Sequence, residues 1–136
     1  MVDAQWLKDR VNRQEGFPLH NGITVTEVGG GYCACTAELA PDKFNPHGIA
    51  RGGLLFAMCD TVAGTAATSL GRGVVTRSAD IHFLRPGTGR RLTAEGRVTD
   101  CGRSHAFCIA EVHNEEGALV CSSTFEMVFL EGEENI

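Results

Sequence analysis

The spacing of apolar residues changes period twice along this chain. Over residues 3 to 14, Trp6, Leu7 and Val11 recur at helical spacing and Asp3 can cap the first turn. This predicts a short amphipathic helix, ended by Gly16 and Pro18. The period then drops to two. Ile23 and Val25 share a face in GITVTEV, and Cys33, Cys35, Ala37 and Leu39 alternate with Tyr32, Thr36 and Glu38. Gly29-Gly30-Gly31 between these stretches is a turn signal, so they are expected to pair as a hairpin. Pro41 to Gly48 reads as loop.

Residues 53 to 70, GLLFAMCDTVAGTAATSL, carry apolar or small side chains on nearly every side. A helix apolar all round is a buried one. At 1.5 Å per residue it is about 27 Å long and is expected to run through the middle of the domain. Beyond residue 70 the pattern is that of strands: VVTRSADIHFL up to Arg85-Pro86-Gly87, then the alternation of Leu92, Ala94, Gly96 and Val98, then SHAFCIAEVHN. Last comes ALVCSSTFEMVFL, with Leu119, Cys121, Phe125, Met127 and Phe129 on one face. Short turns join strands antiparallel. The expected fold is α+β, an antiparallel curved sheet wrapped around one long central helix, with residues 1–136 as a single domain. The other sheet face keeps enough apolar surface to suggest a partner subunit, and the tail EGEENI is expected to fray.

Composition narrows the function classes. The chain has 136 residues, 43% hydrophobic, and a net charge of −5 with no basic run. That suits one ordered domain and argues against nucleic acid as a partner. The charged N-terminus does not read as a secretory signal, and no apolar run approaches the roughly 20 residues of a membrane span. A cytoplasmic protein with no membrane partner is expected. Six cysteines lack CxxC spacing and read as small buried thiols of a reducing cytosol. The histidines, His20, His47, His82, His105 and His113, are scattered without HxxxH pairing. No GxSxG, GxGxxG or phosphate loop is present.

Two features remain. Asp60 is an acid among Leu54, Leu55, Phe56, Met58 and Val62, and an acid in apolar surroundings is a candidate site. Gly52-Gly53 stand where the long helix should begin, and glycines there expose N–H groups that can hold a developing oxyanion. Eight residues of helix separate Gly52 from Asp60 by about 12 Å. If both serve one reaction, they must come from different subunits, and a two-fold dimer would build two such sites.

The order Asn45-x-x-Gly48-x-x-Arg51-Gly52-Gly53, followed by Asp60, resembles the hotdog-fold acyl-CoA thioesterases of the PaaI (phenylacetic acid degradation) type, whose loop reads N-x-x-G-x-x-H-G-G. VVTRSADIHFLRPG is similar to that family's third strand, and the resemblance covers roughly residues 20 to 130. It implies a hydrolase that splits acyl-CoA, aryl-acetyl-CoA included, into acid and CoA. It also implies a homodimer with sites across the interface, paired again into a homotetramer, with coenzyme A as part of the substrate and no metal or organic cofactor. By the same resemblance the catalytic residues are Asp60 (nucleophile or general base), Gly52 (polarising the carbonyl), Asn45 (positioning water or carbonyl) and Thr76. The substrate-binding residues are Arg51, Gly53, His47, Arg85 and Arg103. CoA phosphates need cations nearby, and Arg77, Arg90 and Arg91 are further candidates at strand ends and turns.

Arg51 stands where the family commonly has histidine, and three roles are open to it. It can bond loop carbonyls, meet a CoA phosphate or acidic acyl group, or pair with a carboxylate such as Asp60. Two rival functions arise from that departure: a catalytically weak acyl-CoA or aromatic-acid binding protein, and a hotdog hydratase or dehydratase, whose chemistry usually wants the missing histidine.

Overall fold

The structure, a computed structural model, describes residues 2–13 and 16–131. Its elements are helices α1 (Ala4–Val11) and α2 (Phe17–His20), strands β1 (Ile23–Gly29) and β2 (Tyr32–Glu38), a 3-10 turn at Pro41–Lys43, helix α3 (Gly52–Thr68), and strands β3 (Val74–Phe83), β4 (Arg91–Cys101), β5 (His105–His113) and β6 (Leu119–Phe129). The strands form one antiparallel sheet in the order β1-β2-β4-β5-β6-β3. Helix α3 packs against every strand, so the sheet curls around it as the period-two stretches lead one to expect.

The N-terminal helix starts as predicted, with the Asp3 carboxylate accepting the Trp6 N–H at 2.8 Å. It ends at Val11, earlier than expected. Asn12 diverts the chain by bonding Val25 through both its amide ends, each at 2.8 Å, which ties the helix end to β1. Pro18 opens a second helix rather than closing the first, because its fixed φ suits a first helical turn. The expected fraying of the tail falls mostly outside the described residues.

Alternate strand residues face α3. Ile23, Cys33, Cys35, Ala37, Leu92, Ala94, Ala110, Val112, Cys121 and Met127 are fully buried. Gly96 shows how close the layers come: a Cβ there would lie 2.8 Å from the carbonyl carbon of Val62. Five cysteines are buried, but Cys101 is exposed, contrary to the expectation for all six. Among the described residues no helix is long and apolar enough to cross a membrane.

The expectation that α3 is buried on all sides needs correction. At about 100° per residue, Leu54, Leu55, Met58, Cys59, Val62, Ala63, Ala66 and Ala67 turn toward the sheet. Gly53, Phe56, Ala57, Asp60, Thr61, Gly64 and Thr68 form the opposite stripe, which the chain leaves partly or wholly open. Leu54, Leu55, Met58 and Val62, which flank Asp60 in sequence, therefore point away from it, while Phe56 shares its stripe. Strand β3 is similarly uncovered. Among the described residues it pairs only with β6, and nearly all of its residues are exposed, Val75 and Phe83 by more than half.

Candidate active site

The loop before α3 is closed by Asn45. Its Oδ1 accepts the N–H of His47 at 2.9 Å and of Ile49 at 3.3 Å, and its backbone N–H donates to the Ile49 carbonyl at 2.8 Å. Gly48 takes φ +78°, which side chains rarely adopt, so the turn requires glycine at that place in the motif. The Ala50 N–H donates to Gly87 and the Arg51 N–H to Lys43, at 2.8 and 2.9 Å, fixing where the helix starts. The Gly52 and Gly53 N–H groups have no acceptor within their own helix. Among the described residues they make no other hydrogen bond. Asn45 Oδ1 is committed to the loop, so the Asn45 group left to meet a ligand is its amide Nδ2.

Gly52, Asn45 and Arg85 come together on a cavity of about 340 Å³ whose apolar walls include Ile49, Phe83 and Leu84. Arg85 is steadied by its Nη1, which donates to the Leu119 carbonyl at 2.8 Å. Sequence reasoning missed Phe83 and Leu84, which sit where β3 runs into the turn at Pro86. The available signal was a pair of large apolar residues at a strand end.

Asp60 lies elsewhere, half-buried on the open stripe of α3. The Thr76 hydroxyl donates to its Oδ1 at 2.5 Å and also sits 3.4 Å from the Met127 sulfur. A bulge in the β3–β6 pairing falls directly after Thr76, and such irregularities re-aim side chains. The Thr76 hydroxyl thus serves the carboxylate of its own chain. Asp60 opens onto a different cavity from Gly52, lined also by Leu7, Val11, Thr61 and Gly64. One chain thus carries an acid with its hydroxyl partner at one place and an N–H turn at another, about 12 Å apart along the helix axis.

The remaining candidates separate. The Arg51 side chain makes neither a hydrogen bond nor an ion pair among the described residues, so pairing with Asp60 and bonding of loop carbonyls are both unrealised in this chain. It turns away from Gly52 into a cavity of about 330 Å³ shared with His20, Lys43, Gly53 and Leu54. There Lys43 is 2.9 Å from Asp42 and holds that carboxyl below its ordinary range. His47 stays exposed and lines none of these cavities. Arg103, in the β4–β5 turn, is exposed, and its carbonyl accepts from Arg72 Nη1 at 2.9 Å. Arg91 pairs with Glu38 at 2.6 Å, Arg77 lies 4.0 Å from Glu126, and the Arg90 N–H is bound by Glu115.

A family model described as Thioesterase superfamily matches residues 47–121, more than half of the chain. The acyl-coenzyme A thioesterase PaaI of Escherichia coli is 31% identical over 96 residues, spanning 70% of this chain and 69% of that protein. The solved structure of the E. coli PaaI protein from the phenylacetic acid degradation operon superposes with a TM-score of 0.86 at 25% identity, over 93% of this chain and 94% of that one. A hypothetical thioesterase from Streptococcus pneumoniae, solved with coenzyme A, superposes with a TM-score of 0.76 at 30% identity, over 79% of this chain and 85% of that one. Variants of that protein have been solved with an aspartate or a threonine changed to alanine, at positions sixteen residues apart.

Proposed function

The chain belongs to the thioesterase superfamily, and we propose that it hydrolyses acyl-CoA thioesters at sites shared by two copies of itself. Each copy lends Asp60 and Thr76 to one site and the Asn45–Gly53 turn to the other. The observation that carries this reading is the hydrogen-bonded pair Asp60–Thr76, sixteen residues apart. The aspartate and threonine altered in the streptococcal thioesterase have the same spacing.

Each half supplies part of the chemistry. The Gly52 N–H, at the positive end of the α3 dipole, polarises the thioester carbonyl and holds the oxyanion that forms. Asp60 either takes a proton from water as its oxygen bonds to the carbonyl carbon or attacks that carbon itself. Collapse of the tetrahedral intermediate breaks the C–S bond and releases CoA, its sulfur taking a proton; where Asp60 has attacked, water then hydrolyses the acyl–Asp60 anhydride, freeing the acid and restoring the carboxylate. Thr76 orients the carboxylate, and Asn45 shapes the turn and offers Nδ2 to water or carbonyl. Arg51 lines the cavity beside the turn as a cation without an ion pair among the described residues, next to a Lys43 already paired with Asp42, which fits contact with an anionic part of the substrate. Arg85 faces the Gly52 cavity, where it can meet the CoA arm. Aryl-acetyl thioesters are among the substrates this reading admits.

A second copy fits the surfaces left open. The free edge of β3 offers unpaired backbone groups beside exposed Val75 and Phe83, and the open stripe of α3 meets that strand at the Asp60–Thr76 hydrogen bond. Covering both would dry the Asp60 site and bring the partner's Gly52 to it, and two such dimers would complete a tetramer. Free cysteines fit a reducing compartment such as the cytoplasm. The test is thiol release from a panel of acyl-CoAs by wild type, Asp60→Asn and Asp60→Ala. Turnover should fall by about 10²- to 10⁴-fold with the circular dichroism spectrum retained. Near-normal kcat in Asp60→Ala, or an active monomer in the ultracentrifuge, would overturn the reading.

A further inference from the structure

Two of the buried cysteines meet across the packing of helix on sheet. Cys59 Sγ, on α3, lies 3.8 Å from Cys121 Sγ, on β6, and both side chains are fully buried. Other buried thiols are engaged differently: Cys33 Sγ donates to the Ala34 carbonyl at 3.8 Å, and Cys108 Sγ to the Ala63 carbonyl at 3.6 Å.

The contact is chemically uneven. With Cys121 donating, the contact holds the Cys59 thiol below its ordinary range, although burial and the Asp60 and Glu111 carboxylates push the other way. The same contact, with burial, pushes Cys121 up. A thiol that ionises more readily, in contact with a second thiol, has the arrangement of an attacking and a resolving sulfur. The pair also stands between the two halves of the proposed site. Cys59 directly precedes Asp60, and Cys121 lies opposite Phe83 of β3, which walls the Gly52 cavity.

We propose that Cys59 and Cys121 are a site of reversible oxidation, where a small hydroperoxide closes a disulfide that ties α3 to β6 and slows turnover. Cys59 gives up its proton and attacks one peroxide oxygen. The O–O bond breaks, the sulfur becomes a sulfenic acid, and the leaving hydroxide takes the proton as water. The Cys121 sulfur then attacks the Cys59 sulfur, and the S–O bond breaks as the S–S bond forms. The second hydroxide takes the Cys121 proton as water. Two thiols thereby lose two electrons to one peroxide, and a dithiol reverses the change by exchange. To reach bonding distance the sulfurs must approach by about 1.7 Å. That pull acts on the residue before Asp60, and displacing a catalytic group by about 1 Å can cost about 10²-fold in rate. Burial makes the step slower than any reaction at exposed Cys101. The effect on turnover rests on the proposed thioesterase activity, whereas formation of the bond does not.

The experiment treats Cys101→Ser protein, which lacks the exposed thiol, with hydrogen peroxide. The same protein carrying Cys59→Ala or Cys121→Ala is treated beside it. Intact mass, peptide maps without reductant, melting, and cleavage of acetyl- and phenylacetyl-CoA are read before oxidation, after it, and after dithiothreitol. Cleavage is followed by loss of the thioester absorbance, so that no thiol reagent interferes. Oxidation should remove two hydrogens and yield one linked peptide pair, Cys59 with Cys121. Because the bond spans 62 residues of chain, Tm should rise by about 5 °C or more. The value of kcat should fall about tenfold or more, and dithiothreitol should restore both. Neither alanine variant should form the link or show these shifts. Oxygen added to Cys59 without a cross-link, a bond from Cys59 to Cys35, or a Cys59–Cys121 bond that leaves kcat unchanged would overturn the proposal. Reduced protein that cleaves neither ester, yet forms the bond and melts higher, would instead overturn the thioesterase reading and leave the oxidation site standing.

Discussion

Replacing Thr76 by valine removes one hydroxyl and almost no volume. That hydroxyl donates to Asp60 Oδ1 at 2.5 Å, with Met127 Sδ a weaker acceptor at 3.4 Å, so the loss falls mainly on the carboxylate. A hydrogen bond to a charged group contributes about 1.5–3 kcal/mol. At about 1.36 kcal/mol per factor of ten, losing it in the transition state slows the reaction about 10- to 150-fold. The lower end applies where water can replace the hydroxyl, since Thr76 is exposed in the single chain. Thr76 is a positioning residue in this scheme, so kcat should fall while KM holds, and Thr76→Ser should recover most of the rate. Steady-state thiol release over a range of acyl-CoA concentrations separates kcat from KM, and circular dichroism checks the fold. A Thr76→Val enzyme with wild-type kcat, or a loss confined to KM, would refute the idea that Thr76 holds the carboxylate.

Gly96→Ala places a methyl 2.8 Å from the Val62 carbonyl carbon. Overpacking of this kind costs about 1–3 kcal/mol, and thermal denaturation should show a Tm lower by several degrees. Arg51→His should leave kcat close to wild type, because the side chain faces away from Gly52, and should raise KM through the lost cation. Of the six cysteines, only exposed Cys101 should react quickly with a thiol reagent in native protein, and all six after denaturation. Burial pushes Cys33 up to about 12 and Cys108 up to about 11, from an ordinary 9.0. Because these folded values are raised, their stabilisation is complete below pH 9 and declines as pH rises through the range from 9 to 12. Denaturant midpoints should therefore be flat from neutral pH to about 8.5 and fall above it.

Much of this molecule is legible in its residue pattern. Alternation at Cys33, Cys35 and Ala37, and again at Leu92 and Ala94, marks which strand faces turn inward, because a strand with one buried face must repeat every second residue. The run from Leu54 to Ala67 marks the helix, and Asn45, Gly48 and Gly52 mark its entry turn, since their roles are local: an amide closing a loop, a left-handed φ, a bare N–H. The end of the first helix is not legible in this way. Asn12 acts on Val25, thirteen residues on, and no spacing in the N-terminal segment reveals that tie.

What only the tertiary structure decided is direction. Apolar neighbours in sequence made Asp60 look enclosed, yet helical rotation sends all of them but Phe56 to the sheet and sets Asp60 on the open stripe. Arg51 and Gly52 are adjacent in the chain and face different cavities. Thr76 meets Asp60 because β3 lies at the sheet edge and bulges there. Composition and period fix which residues can be buried or can turn, through local sterics and solvation. Which groups meet depends on how strand order and helix rotation close in space, and that information is spread over the whole chain.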